Sequence, residues 1–214
     1  YSGALPMLQH ILARRQSPDS SVARDIAALI ESIESAYPLL DSLASALERC
    51  AKRFVARGRA RERGFTQRRR LTGRDRASIE WQEVIAAWET LSRLCRRTAV
   101  LLEEVVRPFQ SLGTDKNEGE PVQALSAALR MLREQVDAFD EVIASPMADS
   151  VYWLSESSST GTIVLHRAPL SVADSLSETL FEQKRCVVLT SATLATDGSF
   201  EYFAEQVGLS PFQS

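Results

Sequence analysis

Three hydroxyl-bearing side chains lie close together near the end of this 214-residue chain. Thr190, Ser191 and Thr193 follow the short apolar run Val187–Leu189. A serine acts as a nucleophile only beside a base that takes its proton, and neither a neighbouring histidine nor a G-x-S-x-G elbow accompanies Ser191 in the sequence. The sequence therefore disfavours hydrolytic chemistry at these hydroxyls, and a plain Ser/Thr turn is the simplest alternative.

A second group of residues able to do chemistry is a run of arginines. Between Arg49 and Arg76 there are twelve basic residues and two acids, so this segment carries a net charge of +10 and the remainder −13. Arginine suits phosphate contact because its planar guanidinium can bind two oxygens at once. A solvated loop without function is the alternative, and Phe65 offers either a base-stacking ring or a small local core. The residues predicted to bind nucleic acid are Arg57, Arg59, Arg61, Arg63, Arg68, Arg69, Arg70, Arg74 and Arg76.

Other kinds of site find little support in the composition. Cys50, Cys95 and Cys186 are widely spaced and odd in number, so neither a disulfide framework nor a metal site is predicted. No apolar run approaches the ~18 residues of a membrane helix, and no signal-peptide pattern opens the chain. We therefore expect a cytoplasmic protein without membrane contact. The 44% of hydrophobic residues is enough for a substantial core.

Helices must position most of these residues. A short helix is predicted over Leu5–Arg15, and a long one follows it from Asp19 or Ser20. The stripe keeps its phase through Pro38 without an accompanying turn residue, which predicts a kink, with a chain break as the alternative. The predicted stripe is Val22, Ile26, Leu29, Ile30, Ile33, Tyr37, Leu40, Leu43 and Leu47.

Two further helices complete a predicted bundle. The first runs over Ser78–Gln110 and carries Trp81 and Trp88, for which core packing is favoured over base stacking. A polar loop, Ser111–Glu120, precedes a helix that starts at Pro121 and ends before Ser145. Helices that alternate with loops in this way predict an elongated antiparallel bundle.

Beyond Pro146 the apolar period falls from 3.6 to 2. Strands are predicted over Val151–Leu154 and Thr162–His166, joined as a hairpin by the Ser/Thr/Gly turn Ser155–Gly161. A helix over Ser171–Phe181 and a buried strand over Cys186–Leu189 are predicted to follow. Strand, helix and strand in this order predict a βαβ unit. The fold class expected is mainly α, with the bundle over residues 1–145 and a small α/β segment over residues 146–214.

The C-terminal part of the chain resembles a known family. The run CVVLTSATL with its sequel SFEYFAEQVGL, and the upstream run YWLSESSSTGTIVLHRAPLSVADSLSETLF, are similar to motif III and its surroundings in helicases of the DinG and XPD type. The resemblance covers Val151–Leu209 and is only general before that. It implies an ATP-dependent DNA helicase, in which the bundle is the arch insertion and residues 146–214 belong to a RecA-like motor domain.

The family also implies roles and partners. Thr190, Ser191, Ala192 and Thr193 would be the coupling motif, relaying the nucleotide state without acting as nucleophiles. Single-stranded DNA and the remaining motor domains would be the partners, unwinding would run 5′ to 3′, and ATP and magnesium would bind the intact protein. The cysteines of the family's iron–sulfur cluster would precede this segment, so the sequence does not decide on that cluster.

The sequence lacks what nucleotide chemistry needs. It contains no G-x-x-x-x-G-K-[ST] loop and no acidic box for magnesium, and it begins Tyr1-Ser2-Gly3 without a methionine. We therefore expect a fragment that is inactive by itself and binds no cofactor. The alternative is a stand-alone helical module that binds nucleic acid or acts as a scaffold. A nuclease is a weaker third possibility, since no carboxylates cluster for two metals.

The number of helices also predicts where the arginines lie. An insertion that returns to its starting point crosses an even number of times, and four helices place Arg49–Arg76 at the base, beside the motor domain. The loop Ser111–Glu120 would then be the distal tip. If Pro38 reversed the chain, the arginines would move to the far end.

Overall fold

The fold is known from a computed structural model, which describes residues 20–57, 67–111, 119–157, 160–191, 193–195 and 198–209. It is mainly helical with a small sheet, as predicted. The predicted helix Leu5–Arg15 lies outside the described residues. A π-helical turn covers Ser177–Phe181. The helices are α1 (Ser20–Arg57), α2 (Gly73–Arg76), α3 (Ile79–Ser111), α4 (Gly119–Ile143), α5 (Ala173–Leu176) and α6 (Glu201–Val207), and the strands are β1 (Gln67–Arg70), β2 (Ser150–Glu156) and β3 (Ile163–Pro169).

The chain divides into two compact units. The first unit contains the described residues up to Pro146 together with Trp153–His166, and the second contains Met147–Tyr152 and the described residues from Arg167 onward. Among the described residues, no helix has the length and apolar character that crossing a membrane requires.

Among its described residues, the first unit consists mainly of three long helices. Helix α1 is continuous through Pro38, so the predicted absence of a chain reversal is confirmed. Helix α3 packs against both α1 and α4, and each neighbouring pair is antiparallel. At one end of the bundle the three helices share an apolar cluster formed by Ile26, Leu29, Leu102, Val105, Val106, Val122 and Leu125.

The buried line of α1 differs from the predicted stripe in the middle of the helix. Tyr37 and Leu40 are 64% and 49% exposed. The line facing α3 repeats at about 3.5 residues and passes instead through Ser32, whose hydroxyl shares a buried hydrogen bond of 2.7 Å with Thr98. The predicted stripe followed the more apolar residues and therefore included side chains beside the interface with α3. The interface itself contains Ser32, which can be buried because its hydroxyl is hydrogen-bonded. The buried members of this line are Ile26, Leu29, Ser32, Leu43, Ala46, Cys50 and Phe54.

Both helical tryptophans lie in the core, as predicted. Trp81 and Trp88 are 0% and 3% exposed. The indole of Trp81 donates to the Ile143 carbonyl at 3.3 Å, and that of Trp88 donates to Asp140 at 2.7 Å and stacks on Phe139. Each buried N–H group is therefore satisfied by α4, which fixes α4 against α3.

The sheet has three strands in the order β1-β2-β3. Strands β2 and β3 form the predicted hairpin, whereas β1 was not predicted and comes from the arginine segment. It pairs antiparallel with β2, with Arg68 opposite Ser155 and Arg70 opposite Trp153. A strand with three arginines forms because β2 offers it a backbone partner. Its formation therefore depends on the tertiary fold, and the sequence of the segment alone does not predict it.

The predicted buried strand Cys186–Leu189 is wrong. This segment has no strand pairing, and Val188 is 79% exposed. A β-strand needs a neighbouring strand to satisfy its backbone groups, and none of the described residues supplies one here. The predicted βαβ unit is therefore absent from the described part of the chain.

Candidate nucleic-acid interface

Strand β1 sorts its arginines onto two faces. Successive strand residues point to opposite sides, so Arg68 and Arg70 share one face and Arg69 lies on the other. Arg68 and Arg70 are exposed and Arg69 is half-buried. The structure thus places three neighbouring arginines, all predicted to bind nucleic acid, in two different environments.

Arg69 is held inside the first unit. Its guanidinium donates to Asp75 at 2.9 Å and to the Phe54 carbonyl at 3.4 Å, and it lies 5.0 Å from the centre of the Phe54 ring. Asp75 is buried and completes a capping box with Thr72 at the start of α2. Arg69 therefore anchors β1 to the bundle.

Arg76 is likewise engaged with the fold. It donates to the carbonyls of Val142 and Ile143 at 2.9 and 3.2 Å, and its guanidinium lies 5.4 Å from the Trp81 ring centre. A cation at the end of a helix satisfies carbonyls that have no partner within the helix and matches the helix dipole. Arg76 thus caps α4.

Acids outside the arginine segment reduce its effective charge. Arg49 pairs with Glu83 at 3.1 Å, Arg53 with Glu80, and Lys52 with Glu48 at 3.6 Å. The net charge of +10 counted along the segment overstates what a ligand would meet, because the neighbouring helix α3 supplies two of these carboxylates.

The described nucleic-acid candidates with exposed side chains are Arg68, Arg70 and Arg74. Among the described residues, no ion pair involves these three arginines. Arg57 is the last residue of α1, and its side chain is not among those that the structure describes. Arg59, Arg61 and Arg63 lie outside the described residues.

Within the first unit, strand β1, Arg74 and Arg76 lie at the end of the bundle where α4 finishes. Arg76 contacts the last carbonyls of α4 directly. The antiparallel course of α3 and α4 puts Ser111 and Gly119, which border the predicted distal loop, at the opposite end. The loop residues 112–118 lie outside the described part of the chain.

Two further residues share the face of Arg68 and Arg70. Trp153 lies opposite Arg70, and its ring stacks on His166 with centroids 4.9 Å apart and planes 3° apart. Ser155 lies opposite Arg68 and shares a hydrogen bond of 2.8 Å with His166 Nε2. We call Arg68, Arg70, Trp153, Ser155 and His166 the arginine–tryptophan face. Sequence reasoning predicted the hairpin but assigned none of its side chains to a site, although the alternation of Trp153 and Ser155 was visible.

Two side chains of the hydroxyl cluster, Ser191 and Thr193, contact each other. Thr190, Ser191 and Thr193 are exposed. The Thr193 N–H donates to Ser191 Oγ at 3.2 Å, and the two hydroxyls lie 3.1 Å apart. Ala192 is outside the description. In this geometry the hydroxyls of Ser191 and Thr193 hydrogen-bond each other, and all three side chains are exposed.

The three cysteines are free thiols in different surroundings. Burial, together with the nearby carboxylates of Glu80 and Asp75, raises the pKa of the Cys50 thiol to about 12, so the thiol stays protonated at neutral pH. Cys186 is exposed. No group of three or more histidine, cysteine or acidic side chains able to hold a metal occurs among the described residues.

Comparisons with known proteins give partial similarity. No protein-family model matches the chain. It is 30% identical over 86 residues, 40% of its length, to a probable ATP-dependent helicase, YpvA, of Bacillus subtilis, and 42% identical over 50 residues, 23% of its length, to the 3′-5′ exonuclease DinG of the same organism. The matches span 13% and 5% of these relatives' lengths. They support a relationship to DinG-like helicases.

Proposed function

We propose that this chain is a segment of an ATP-dependent DNA helicase whose helical bundle is an arch that guides single-stranded DNA. Residues 146–214 would belong to a motor domain and partner with its missing parts. The partial similarity to DinG-like proteins supports the helicase assignment. The exposed pair Arg68 and Arg70, on one face of a strand anchored by Arg69, supports the DNA contact most directly.

The spacing of these arginines suits a flexible phosphate chain. Residues two apart on a strand lie about 6.8 Å from each other, so Arg68 and Arg70 can contact different phosphates. Arg74 adds a third exposed charge just after the strand. Because the pairing of Arg69 with Asp75 fixes the strand, little ordering of the backbone is needed when DNA binds.

Replacing Arg68, Arg70 and Arg74 together with glutamine should weaken binding of single-stranded DNA and flatten its dependence on salt. The slope of log K against log salt is negative, and each lost phosphate contact reduces its magnitude by about 0.7. The slope should therefore become shallower by about 2. Fluorescence anisotropy with a labelled oligothymidine, at salt concentrations between about 50 and 200 mM, measures both the affinity and the salt slope.

A matched control removes the same charge elsewhere on the bundle. Arg93, Arg97 and Arg130 are exposed on α3 and α4, and their joint replacement with glutamine should leave most of the affinity and the slope in place. Equal losses in both triple variants would mean that only net charge matters. An unchanged affinity and slope in the first variant would contradict the proposal.

The turn Thr190–Thr193 is proposed to couple ATP hydrolysis to unwinding in the intact protein. In that role Ser191 and Thr193 would exchange their mutual hydrogen bond for partners on the nucleotide-binding motifs, which this sequence lacks. ATP and magnesium would then bind elsewhere in the longer protein.

The chain by itself should neither bind ATP with micromolar affinity nor hydrolyse it. The sequence supplies no phosphate-binding loop and no acidic box. Titration with a fluorescent ATP analogue tests binding, and phosphate release tests turnover. Weak binding that disappears in the Arg68, Arg70 and Arg74 variant would be capture of phosphates by the basic face. Micromolar binding that survives in that variant would contradict the prediction.

A further inference from the structure

The arginine–tryptophan face combines two kinds of group on one side of a sheet. Arg68 and Arg70 supply positive charge from β1, and Trp153 and His166 supply aromatic rings from β2 and β3. Directly opposite residues of an antiparallel pair project to the same side, so the arginines border the ring pair. All of these residues belong to the first unit.

The ring pair is preorganised. The imidazole of His166 lies nearly parallel to the indole of Trp153, 3° apart, and its Nε2 shares a hydrogen bond with the buried Ser155 hydroxyl. A ring held at both its face and its edge loses little freedom when a ligand stacks on it. Both rings are half-buried, so each keeps an exposed portion.

We infer that this face is a base-stacking platform for single-stranded DNA, with Trp153 and His166 stacking a nucleobase and Arg68 and Arg70 holding the adjoining phosphates. The inference rests on the proposed function and specifies how the DNA would be gripped. The proposed site therefore includes residues of the β2–β3 hairpin as well as the arginines.

Charge complementarity favours this ligand. The alternation along β2 puts Glu156 on the side opposite Trp153 and Ser155, so this acid does not share the face. A polyanion without bases would need the arginines only, and an apolar peptide would need the rings only. Single-stranded nucleic acid presents bases and phosphates together, and base stacking on aromatic side chains is tolerant of sequence.

Tryptophan fluorescence reports on the platform almost selectively. The chain has three tryptophans, and Trp81 and Trp88 are buried in the helical core. Oligothymidine should therefore quench the emission of Trp153, and the Trp153→Phe variant should bind with similar affinity but without that quenching. An oligonucleotide of the same length with abasic sites should bind more weakly and quench little.

Replacing Trp153 with leucine should lower affinity for oligothymidine by at least about fivefold and affinity for the abasic strand far less, since a stacked base contributes that much or more. The salt slope should stay at the parent value because no phosphate contact is removed. Thermal unfolding tests whether the variant folds. If it does not, an oligonucleotide carrying 5-iodouracil is crosslinked to the parent chain, and the adduct should map to Trp153 or His166.

The outcomes separate this inference from the proposed function. Binding that depends on Arg68, Arg70 and Arg74 but is indifferent to Trp153, with no quenching and crosslinks elsewhere, overturns the platform and leaves the helicase proposal standing. No binding of single-stranded DNA overturns both. Tighter binding to duplex DNA than to a single strand overturns the platform, because paired bases are not available for stacking.

Discussion

Replacing Asp75 with alanine should destabilise the first unit by about 3 kcal/mol, because the change leaves the partly buried Arg69 guanidinium without its carboxylate. It also removes the capping box, since Asp75 accepts hydrogen bonds from both the backbone N–H and the hydroxyl of Thr72. Strand β1 should loosen at the same time. We therefore expect affinity for single-stranded DNA to fall even though Asp75 itself repels phosphate.

Urea unfolding followed by tryptophan fluorescence measures this loss, since Trp81 and Trp88 are buried in the first unit. The matched control is Asp137→Ala, which removes an exposed carboxylate from α4 and should change the free energy of unfolding by less than about 0.5 kcal/mol. Similar values for the two variants would show that Asp75 does not anchor β1.

The effect of Asp75→Ala should depend on pH in a defined direction. Burial alone would raise the pKa of Asp75, but hydrogen bonds from Thr72 and Arg69 outweigh burial and hold the pKa below its ordinary value. Such a group stabilises the folded chain above its unfolded pKa of about 4, and this contribution is lost as pH falls through the folded pKa. The difference between parent and variant should therefore shrink in strong acid.

Replacing Gly208 with alanine should destabilise the second unit by about 2–4 kcal/mol. Gly208 ends α6 with φ of 75°, and a Cβ there would lie 2.0 Å from the Ala173 carbonyl oxygen. The substitution therefore adds a backbone clash to the conformational cost, and α5 and α6 would have to separate.

Gly198→Ala is the matched control for the clash. Gly198 also has positive φ, at 80°, but a Cβ there meets nothing within 4 Å, so it should show the conformational cost of about 1 kcal/mol alone. Hydrogen exchange read by mass spectrometry suits the measurement, because the Leu209 amide is protected by its bond to the Ala204 carbonyl. Equal losses of protection in both variants would mean that the close approach to Ala173 costs nothing.

The helical part of the fold could be predicted because its signal is local and repeated. A 3.6-residue period over many turns gives α1, α3 and α4 within a few residues of their observed bounds, and the intact phase at Pro38 indicated a continuous helix. The exact interface was harder, since burial of Ser32 depends on the presence of Thr98 on another helix.

The strands could be predicted only where both partners are neighbours in sequence. The hairpin of β2 and β3 has its turn between its strands, whereas β1 has no alternating apolar pattern and is defined by β2. The opposite error occurred at Cys186–Leu189, where an apolar run has no partner among the described residues. The sequence of one segment does not show which distant segment it pairs with.

The candidate site was predictable in composition but not in roles. Counting charge along the chain found the arginines, yet Arg69 and Arg76 serve the fold because Asp75 and the end of α4 happen to lie beside them. The aromatic half of the site required the register that sets Trp153 opposite Arg70.

The pairing of β1 with β2 has a consequence for how the protein is made. Gln67 pairs with Glu156, so about ninety residues are synthesised between the two partners, which takes roughly 5 to 20 seconds on a ribosome. Helices form far faster than this, so α3 and α4 can assemble while β1 still has an unsatisfied backbone edge. Such an edge invites pairing with another nascent chain, and charged side chains are the usual protection against it. Arg68, Arg69 and Arg70 would thus keep the waiting strand from pairing wrongly until its own partner emerges.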